Sequence, residues 1–191
     1  MPGPIFKQDF NLQLNQLITL EDFRMNKQIR SATTRLQINA DKNSVWKKVG
    51  FYEHVKKQPS WLLRLSLPTP QAVEGHYNKI GDICRCRYSD GGYLTKRIIH
   101  IADNTRIEFE IIEQSIRYQN SIKLLGGYIE VNQSGEEQSI VSMVTFYENH
   151  IAPRFISSFF IERVIKTMHK FVIDDMQTQL NNLTISQSQL V

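Results

Sequence analysis

The side chains that could do chemistry are concentrated in the middle of the chain. Cys84 and Cys86 stand two residues apart in a strand-like segment, so both thiols point to one face without converging as a disulfide prefers. A metal site would need two further ligands, and none of the five histidines forms a paired motif such as His-Glu-x-x-His. We interpret the cysteines as reduced, buried residues, and we expect neither a metal nor a cofactor.

Arg97 is the charged residue that turn geometry predicts on the inward face of a sheet. A two-residue loop at Asp90-Gly91, or at Gly91-Gly92, aligns both cysteines with Arg97. An inward guanidinium needs a partner, so Arg97 could anchor a ligand carboxylate, phosphate or ketone. Alternatively, it lies near the sheet end and reaches water or Asp82. The same register turns His100 outward, which removes it as a general base.

The apolar side chains of these strands are predicted to form one wall of a ligand cavity. A three-residue loop around Asp103-Asn104 carries the register onward, so that Ile and Phe side chains share the inward face and charged side chains share the other. Tyr128 and Tyr147 could face either way, because Gly126-Gly127 indicates a bulge. The predicted ligand-contacting residues are Trp61, Cys84, Cys86, Tyr88, Arg97, Ile99, Ile101, Ile107, Phe109, Ile111, Tyr128, Tyr147, Phe160, Val164 and Met168.

The elements that must position these residues come in the order strands, then one long helix. The alternation predicts strands at residues 31–38, 81–88, 93–102, 105–113, 121–131 and 139–147, with a possible extra strand at 72–77. A short helix follows the N-cap Asp41 and stops at Gly50; a second short helix is possible at 51–55, before a packed loop at 59–70. This order indicates an α+β domain in which the long helix closes an antiparallel sheet.

The long helix is predicted to begin at Pro153, a residue suited to the first helical position. At about 100° per residue, one broad apolar arc is expected to lie on the sheet, and a polar arc opposite it. The apolar arc consists of Phe160, Ile161, Val164, Ile165, Met168, Phe171, Val172 and Met176. The polar arc consists of Glu162, Arg163, Lys166, His169 and Lys170.

Length and charge limit the remaining possibilities. The 191 residues, 41% of them hydrophobic, suffice for one domain, which we place at residues 30–183 between an extension at 1–29 and a polar tail at 184–191. The net charge of +4 is scattered along the chain, which argues against a nucleic-acid partner. We find neither a secretory signal nor an apolar window long enough for a membrane span, and we expect a cytoplasmic protein.

Several short motifs, in order over residues 31–180, resemble the START-like superfamily, also called SRPBCC, and within it the polyketide cyclase/dehydrase-like branch. They are the segment 38–49, Trp61, Gly81-Asp82, Asp90-Gly91-Gly92, Gly126-Gly127-Tyr128 and Thr145-Phe146-Tyr147. The resemblance implies a helix-grip fold, in which a curved antiparallel sheet of six or seven strands wraps a long C-terminal helix around a hydrophobic cavity. It also implies binding of lipids, polyketides, isoprenoids or hormones, with cyclisation or dehydration in some members.

Three functions remain open at this point. The first is binding of a hydrophobic small molecule such as a lipid, isoprenoid or polyketide. The second is a cyclase or dehydratase that uses Arg97 and tyrosine hydroxyls to polarise a carbonyl, although the chain has no nucleophile elbow, dinucleotide fingerprint or phosphate-binding loop. The third is an interaction module with a collapsed core. Convergent polar groups with perturbed pKa values in a cavity would favour chemistry, and an apolar wall would favour binding.

Overall fold

The computed structural model describes residues 29–49, 70–117 and 119–188, with side chains described as far as Asn182. The elements, renumbered in chain order, are β1 (Ile29–Ile38), α1 (Lys42–Val49), β2 (Pro70–Gly75), β3 (Ile83–Tyr88), β4 (Tyr93–Ala102), β5 (Arg106–Ser115), β6 (Ile122–Gly135), β7 (Gln138–Asn149) and α2 (Arg154–Ser188). Trp61, the possible helix at 51–55, most of the loop at 59–70 and residues 1–28 of the predicted extension lie outside the described residues.

The seven strands form one antiparallel sheet in the order β1-β7-β6-β5-β4-β3-β2. All neighbours from β2 to β7 are consecutive in the chain, so short turns connect them, and β1 completes the sheet beside β7. The long helix α2 lies on one face of the sheet, here called the inner face, and the opposite face of the sheet is called the outer face. The predicted α+β helix-grip architecture, a curved antiparallel sheet with a long C-terminal helix, is confirmed.

The short helix α1 begins where the sequence predicts. The backbone N–H of Ser44 donates a hydrogen bond to Oδ1 of Asp41 at 3.0 Å, which is the N-cap interaction expected of an aspartate at this position. Hydrogen bonds from Ser44 lower the pKa of the Asp41 carboxyl. Val45 and Val49 are buried on one side of the helix, so the cap holds α1 against the core.

The start of α2 is tied to the end of β7 by Asn149. Its buried side-chain amide donates to Oγ of Ser157 at 2.7 Å and to Oγ of Ser158 at 2.8 Å. The helix begins at Arg154, immediately after the predicted Pro153, and it continues to Ser188, so the first positions of the predicted tail are helical. No helix within the described ranges combines the length and the apolar character needed to cross a membrane.

The most deeply buried part of the core lies between α1, the C-terminal half of α2 and the strands β1, β6 and β7. Ile38, Val131, Val141 and Ile173 are almost completely inaccessible to solvent and belong to one cluster. A second cluster contains Ala32, Tyr147 and Ile161, and it packs the first turns of α2 on the same strands. The core therefore occupies the β1–β7–β6 side of the inner face.

The side of α2 that meets the sheet agrees with the predicted apolar arc at Ile161, Phe171, Val172 and Met176, which are buried, and differs from the prediction at three positions. Phe160 and Val164 are exposed, and His169, which the polar arc was expected to contain, is buried. Beside the sheet lie Ile161 and Ile165, both of the predicted arc, together with His169. The prediction is wrong at Phe160 because five of the seven residues from Phe155 to Ile161 are apolar, so periodicity alone does not single out one side of the first two turns.

Candidate ligand-binding site

The hairpin between β3 and β4 has a three-residue loop, Ser89 to Gly91. Tyr88 N–H donates to the carbonyl of Gly92 at 2.8 Å, and Gly91 takes a positive φ of 82°. Cys84 therefore lies opposite Lys96, not opposite Arg97. Because a shift of one residue turns every side chain to the other face, Lys96 is the basic residue that shares the inner face with the cysteines.

Arg97 points to the outer face. It pairs with the outward residues Ile83 and Glu110 in the register, and its guanidinium Nη1 lies 3.1 Å from Oε1 of Glu110. The predicted inward position of Arg97 is wrong, because the loop contains one residue more than the two-residue turn from which the register was derived. Charged side chains lie on the outer face as predicted, and nearby Arg106 forms ion pairs with Glu108 and Glu130.

A β-bulge in β4 keeps the inner face apolar beyond Lys96. Ile98 pairs with Phe109, and Ile101 pairs with Ile107, although the two β4 residues are three apart. The extra residue between them is Ile99, which has no partner in the ladder. The bulge explains why Ile101 lies inward as predicted although the preceding hairpin register differs from the prediction.

The solvent accessibility of the inward side chains differs between β6 and β7 on one side and β5 on the other. Val131 and Val141 on β6 and β7 have no exposed area, whereas the inward Ile107, Phe109 and Ile111 on β5 remain partly accessible. Among the described elements, α2 packs mainly on β1 and β7. On β4 the inward Leu94 and Ile98 are buried. The partly accessible apolar wall is therefore formed by Ile107, Phe109 and Ile111 of β5 together with Ile101 at the end of β4.

Lys96 provides a cation on this wall. Its Nζ lies 4.9 Å from the centroid of the Phe109 ring, within the range of a cation–π interaction. Its neighbours in the ladder are Cys84 on β3 and Ile111 on β5. A basic group whose stem lies against apolar side chains can bind the polar end of a ligand whose remainder is hydrophobic.

His169, on α2, places a second polar side chain against the inner face. Its Nε2 lies 2.9 Å from Oγ1 of Thr145 on β7, and its Nδ1 lies 3.2 Å from Oγ1 of Thr34 on β1. Burial of the ring, together with the positive charges of Lys166 and Lys96, lowers its pKa from 6.5 to about 4. The imidazole is therefore neutral at pH 7, with one ring nitrogen donating to a hydroxyl and the other accepting from one.

The cysteines behave as core residues. Cys84 and Cys86 are not disulfide-bonded, and both are buried on the inner face; Tyr88 shares their side of β3 in a half-buried position. Within the described parts of the chain, no group of three histidine, cysteine, aspartate or glutamate side chains is arranged to hold a metal ion.

The two tyrosines whose orientation was open point in opposite directions. Tyr147 faces inward and is buried, its hydroxyl donates to the carbonyl of Ser158 at 3.4 Å, and burial raises the pKa of that hydroxyl. Tyr128 faces outward, with the guanidinium carbon of Arg106 3.7 Å above its ring. The expected bulge lies between Leu124 and Gly126, and the φ of 150° at Gly126 explains the glycine.

Thirteen of the fifteen predicted site residues divide into three groups. Of the other two, Ile99 is the extra residue of the β4 bulge, and Trp61 lies outside the described residues. The inner face brings together Cys84, Cys86, Tyr88, Ile101, Ile107, Phe109, Ile111 and Tyr147, with Met168 half-buried on α2. Arg97 and Tyr128 lie on the outer face, and Phe160 and Val164 lie on the exposed side of α2.

The sequence did not single out Thr34, Lys96, Thr145 or His169 as site residues. The three-residue turn, with glycine in its last position, is the sequence signal that could have identified Lys96. The positions of the two threonines and the histidine follow from how α2 rests on the sheet, which no local pattern reports.

Solved structures with the same arrangement cover most of this chain. A START superfamily protein from Mycobacterium smegmatis superimposes with a TM-score of 0.58 over 80% of this chain and 98% of that chain, at 10% identity. The fold is the START-like helix-grip fold. The Zhui aromatase/cyclase from Streptomyces sp. R1128 matches with a TM-score of 0.58 at 13% identity, over 80% of this chain and 94% of the cyclase.

Norcoclaurine synthase from Thalictrum flavum, in complex with dopamine and hydroxybenzaldehyde, matches with a TM-score of 0.56 at 16% identity, over 80% of this chain and 86% of the synthase. At such identities the likeness establishes the fold alone, and it confirms the START-like resemblance at that level. No family model matches the sequence, and no curated protein is detectably similar to it.

Proposed function

We propose that this protein binds a hydrophobic small molecule, of the lipid, isoprenoid or polyketide class, between α2 and the inner face of β3 to β5. The main support for this proposal is the apolar wall of Ile101, Ile107, Phe109 and Ile111. These side chains remain partly accessible to solvent, although they lie on the same face of the sheet as the fully buried core. Burial of apolar ligand surface there contributes about 25 cal/mol per Å² before the cost of ordering the ligand.

Lys96 is proposed to bind the polar end of this ligand, in the role that the sequence suggested for Arg97. Its Nζ stands over the Phe109 ring, so it lies at the wall and not on the charged outer face. An ammonium group donates hydrogen bonds to carboxylate or carbonyl oxygens, and such a bond to a charged group contributes about 1.5–3 kcal/mol. The favoured ligand is therefore an amphiphile with an acidic or carbonyl head.

The binding wall can be tested with two neighbouring isoleucines of β5. Ile111 faces inward opposite Lys96, and Ile112 is the exposed extra residue beside it. We expect Ile111→Trp to fill the space and abolish binding of a fluorescent fatty acid, whereas Ile112→Trp leaves binding unchanged. Native mass spectrometry of the purified protein should in addition detect a co-purified hydrophobic compound. Equal binding by both variants would refute the location of the site.

The head-group contact can be tested with the adjacent pair Lys96→Met and Arg97→Met. We expect Lys96→Met to weaken binding of a long-chain fatty acid by roughly 10- to 100-fold and to affect the corresponding fatty alcohol less. Arg97→Met, which removes an outward cation, should change neither affinity. Titration calorimetry with both ligands separates a lost head-group contact from a general disturbance of the wall. A larger loss for Arg97→Met would contradict the assignment.

A cyclase or dehydratase activity is the second candidate, because Lys96 and His169 both belong to the inner face. The aromatase/cyclase and norcoclaurine synthase with this fold are consistent with it. Binding is favoured because both ring nitrogens of His169 are already hydrogen-bonded to Thr34 and Thr145, which leaves the neutral imidazole no nitrogen for a substrate. If the protein converted a poly-β-ketone substrate and His169→Gln lost that activity, the enzyme function would be favoured over binding.

We also propose a cytoplasmic location. The two cysteines form no disulfide with each other, as is usual in a reducing compartment, and this supports the proposal. Fractionation of cells that express the full chain would test it.

A further inference from the structure

The first three turns of α2 carry an exposed apolar surface, here called the α2 patch. Its members are partly or largely accessible to solvent: Phe155 (74%), Ile156 (45%), Phe159 (63%), Phe160 (59%) and Val164 (39%). The rings of Phe159 and Phe160 contact each other edge to face at 5.8 Å. Single exposed apolar residues are common, but five on consecutive turns of one helix form a patch that indicates an interaction surface.

The α2 patch points away from the protein. Ser158 and Ile161, on the opposite side of the same turns, are buried against the sheet. The helix start is held in this orientation by the hydrogen bonds from Asn149 to Ser157 and Ser158. The fold therefore presents the phenylalanines on a firmly attached helix and not on a loop.

The charges beside the α2 patch are mainly positive. Arg154, Arg163, Lys166 and Lys170 lie on the same five turns, and the one acid among them, Glu162, is engaged with Lys166 at 2.6 Å. At about 100° per residue, Arg163, Lys166 and Lys170 lie on the same side of the helix as Phe159. The α2 patch thus combines exposed aromatic and aliphatic side chains with basic residues beside them.

This combination fits an anionic lipid surface, in which acidic head groups overlie an apolar layer. A helix that lies in such an interface inserts its apolar side chains while its lysines and arginines contact the head groups. A second copy of the chain is a poorer partner, because two α2 patches face to face would bring the cations Arg163 and Lys170 of both copies to one interface. We propose that the α2 patch docks the protein on membranes that contain anionic lipids.

The test is co-sedimentation of the full-length protein with vesicles, without added ligand. Phosphatidylcholine vesicles with about 30 mol% phosphatidylserine should bind the wild type, and pure phosphatidylcholine vesicles should bind it at least about tenfold more weakly. Phe159→Ser combined with Phe160→Ser should reduce binding to the anionic vesicles at least about tenfold. Arg163→Gln combined with Lys170→Gln should reduce binding and weaken its dependence on salt.

The matched control is Ile80→Ser combined with Ile83→Ser, which removes exposed apolar side chains elsewhere on the surface. This variant should bind vesicles like the wild type. All variants change exposed side chains, so circular dichroism and thermal unfolding should match the wild type.

Three results would overturn the proposal. The first is absence of wild-type binding to anionic vesicles, and the second is undiminished binding by the double phenylalanine variant. The third is a dimer of the wild type in analytical ultracentrifugation that the double phenylalanine variant loses, since the α2 patch would then join two copies. Because no ligand is present, each result is independent of whether the inner face binds a hydrophobic compound.

Discussion

The buried imidazole of His169 makes a specific prediction about stability and pH. Replacing it by glutamine keeps a polar side chain that can hydrogen-bond to Thr34 and Thr145 but removes the titrating group. We expect acidification to lower the free energy of unfolding less in His169→Gln than in the wild type. The prediction rests on the ring being buried and neutral in the folded chain.

The expected magnitude follows from the pKa of the ring in the two states. Burial lowers the pKa of His169 from 6.5 in an unfolded chain to about 4 in the folded protein. The unfolded state binds more protons between these values, so the contribution is fully present above pH 6.5 and is lost as the pH falls towards 4. At about pH 5 the linkage amounts to about 2 kcal/mol relative to about pH 7.5.

The assay is urea unfolding of wild type, His169→Gln and His100→Gln at about pH 7.5 and about pH 5. Carboxylates such as Glu113, whose pKa is lowered mainly by the hydrogen bond from Tyr93, titrate alike in all three proteins and cancel in the comparison. His100 is exposed on the outer face, so its replacement should leave the pH dependence of the wild type unchanged. The wild type should lose about 2 kcal/mol more than His169→Gln.

Equal losses in the wild type and a folded His169→Gln would refute the reasoning, because the ring would then titrate as it does in water. If the variant does not fold, a proton NMR titration of the wild-type ring provides the same test. A midpoint near 6.5 instead of about 4 would show that His169 is hydrated or charged in the folded state.

Three stability predictions concern the packing of α2 and the sheet. Ile173→Ala, at a fully buried core position, should lower the free energy of urea unfolding by about 2–5 kcal/mol, whereas Val164→Ala in the α2 patch should change it by less than about 1 kcal/mol. Asn149→Ala should cost about 1–3 kcal/mol, because the hydroxyls at the start of α2 lose their buried donor; an unchanged melting temperature would argue against that contact. Gly126→Ala should reduce the yield of folded protein, since its φ is 150° and a Cβ atom would meet the carbonyl oxygen of Phe109 at 2.3 Å; normal stability would show that the bulge can relax.

The element order was readable from the sequence because it depends on local chemistry. Alternating residues placed five strands between 81 and 147, Asp41 marked the start of α1, and Pro153 marked the start of α2 to within one residue. Turn residues such as Asp103-Asn104 correctly indicated a three-residue connection. These signals act over a few residues, so they survive without knowledge of the rest of the molecule.

The identity of the inward cation was decided by one residue in a loop. The segment Ser89–Gly91 bridges β3 and β4 with three residues where the glycines also permit two, and the difference exchanges Lys96 for Arg97 on the inner face. A register error reverses every side chain because the period of a strand is two. The two-residue turns predicted from Asp90-Gly91-Gly92 therefore placed the wrong cation on the inner face.

The faces of α2 were decided only by tertiary contact. Five of the seven residues from Phe155 to Ile161 are apolar, so periodicity could not tell that Phe160 would be exposed, and nothing in the helix itself indicated that His169 would be buried. The sheet settles this, because Thr34 and Thr145 on adjacent strands offer the two hydroxyls that a buried imidazole requires. The sequence by itself determined the elements and their order; the placement of the polar side chains depends on where α2 rests on the sheet, a long-range contact that no local pattern encodes.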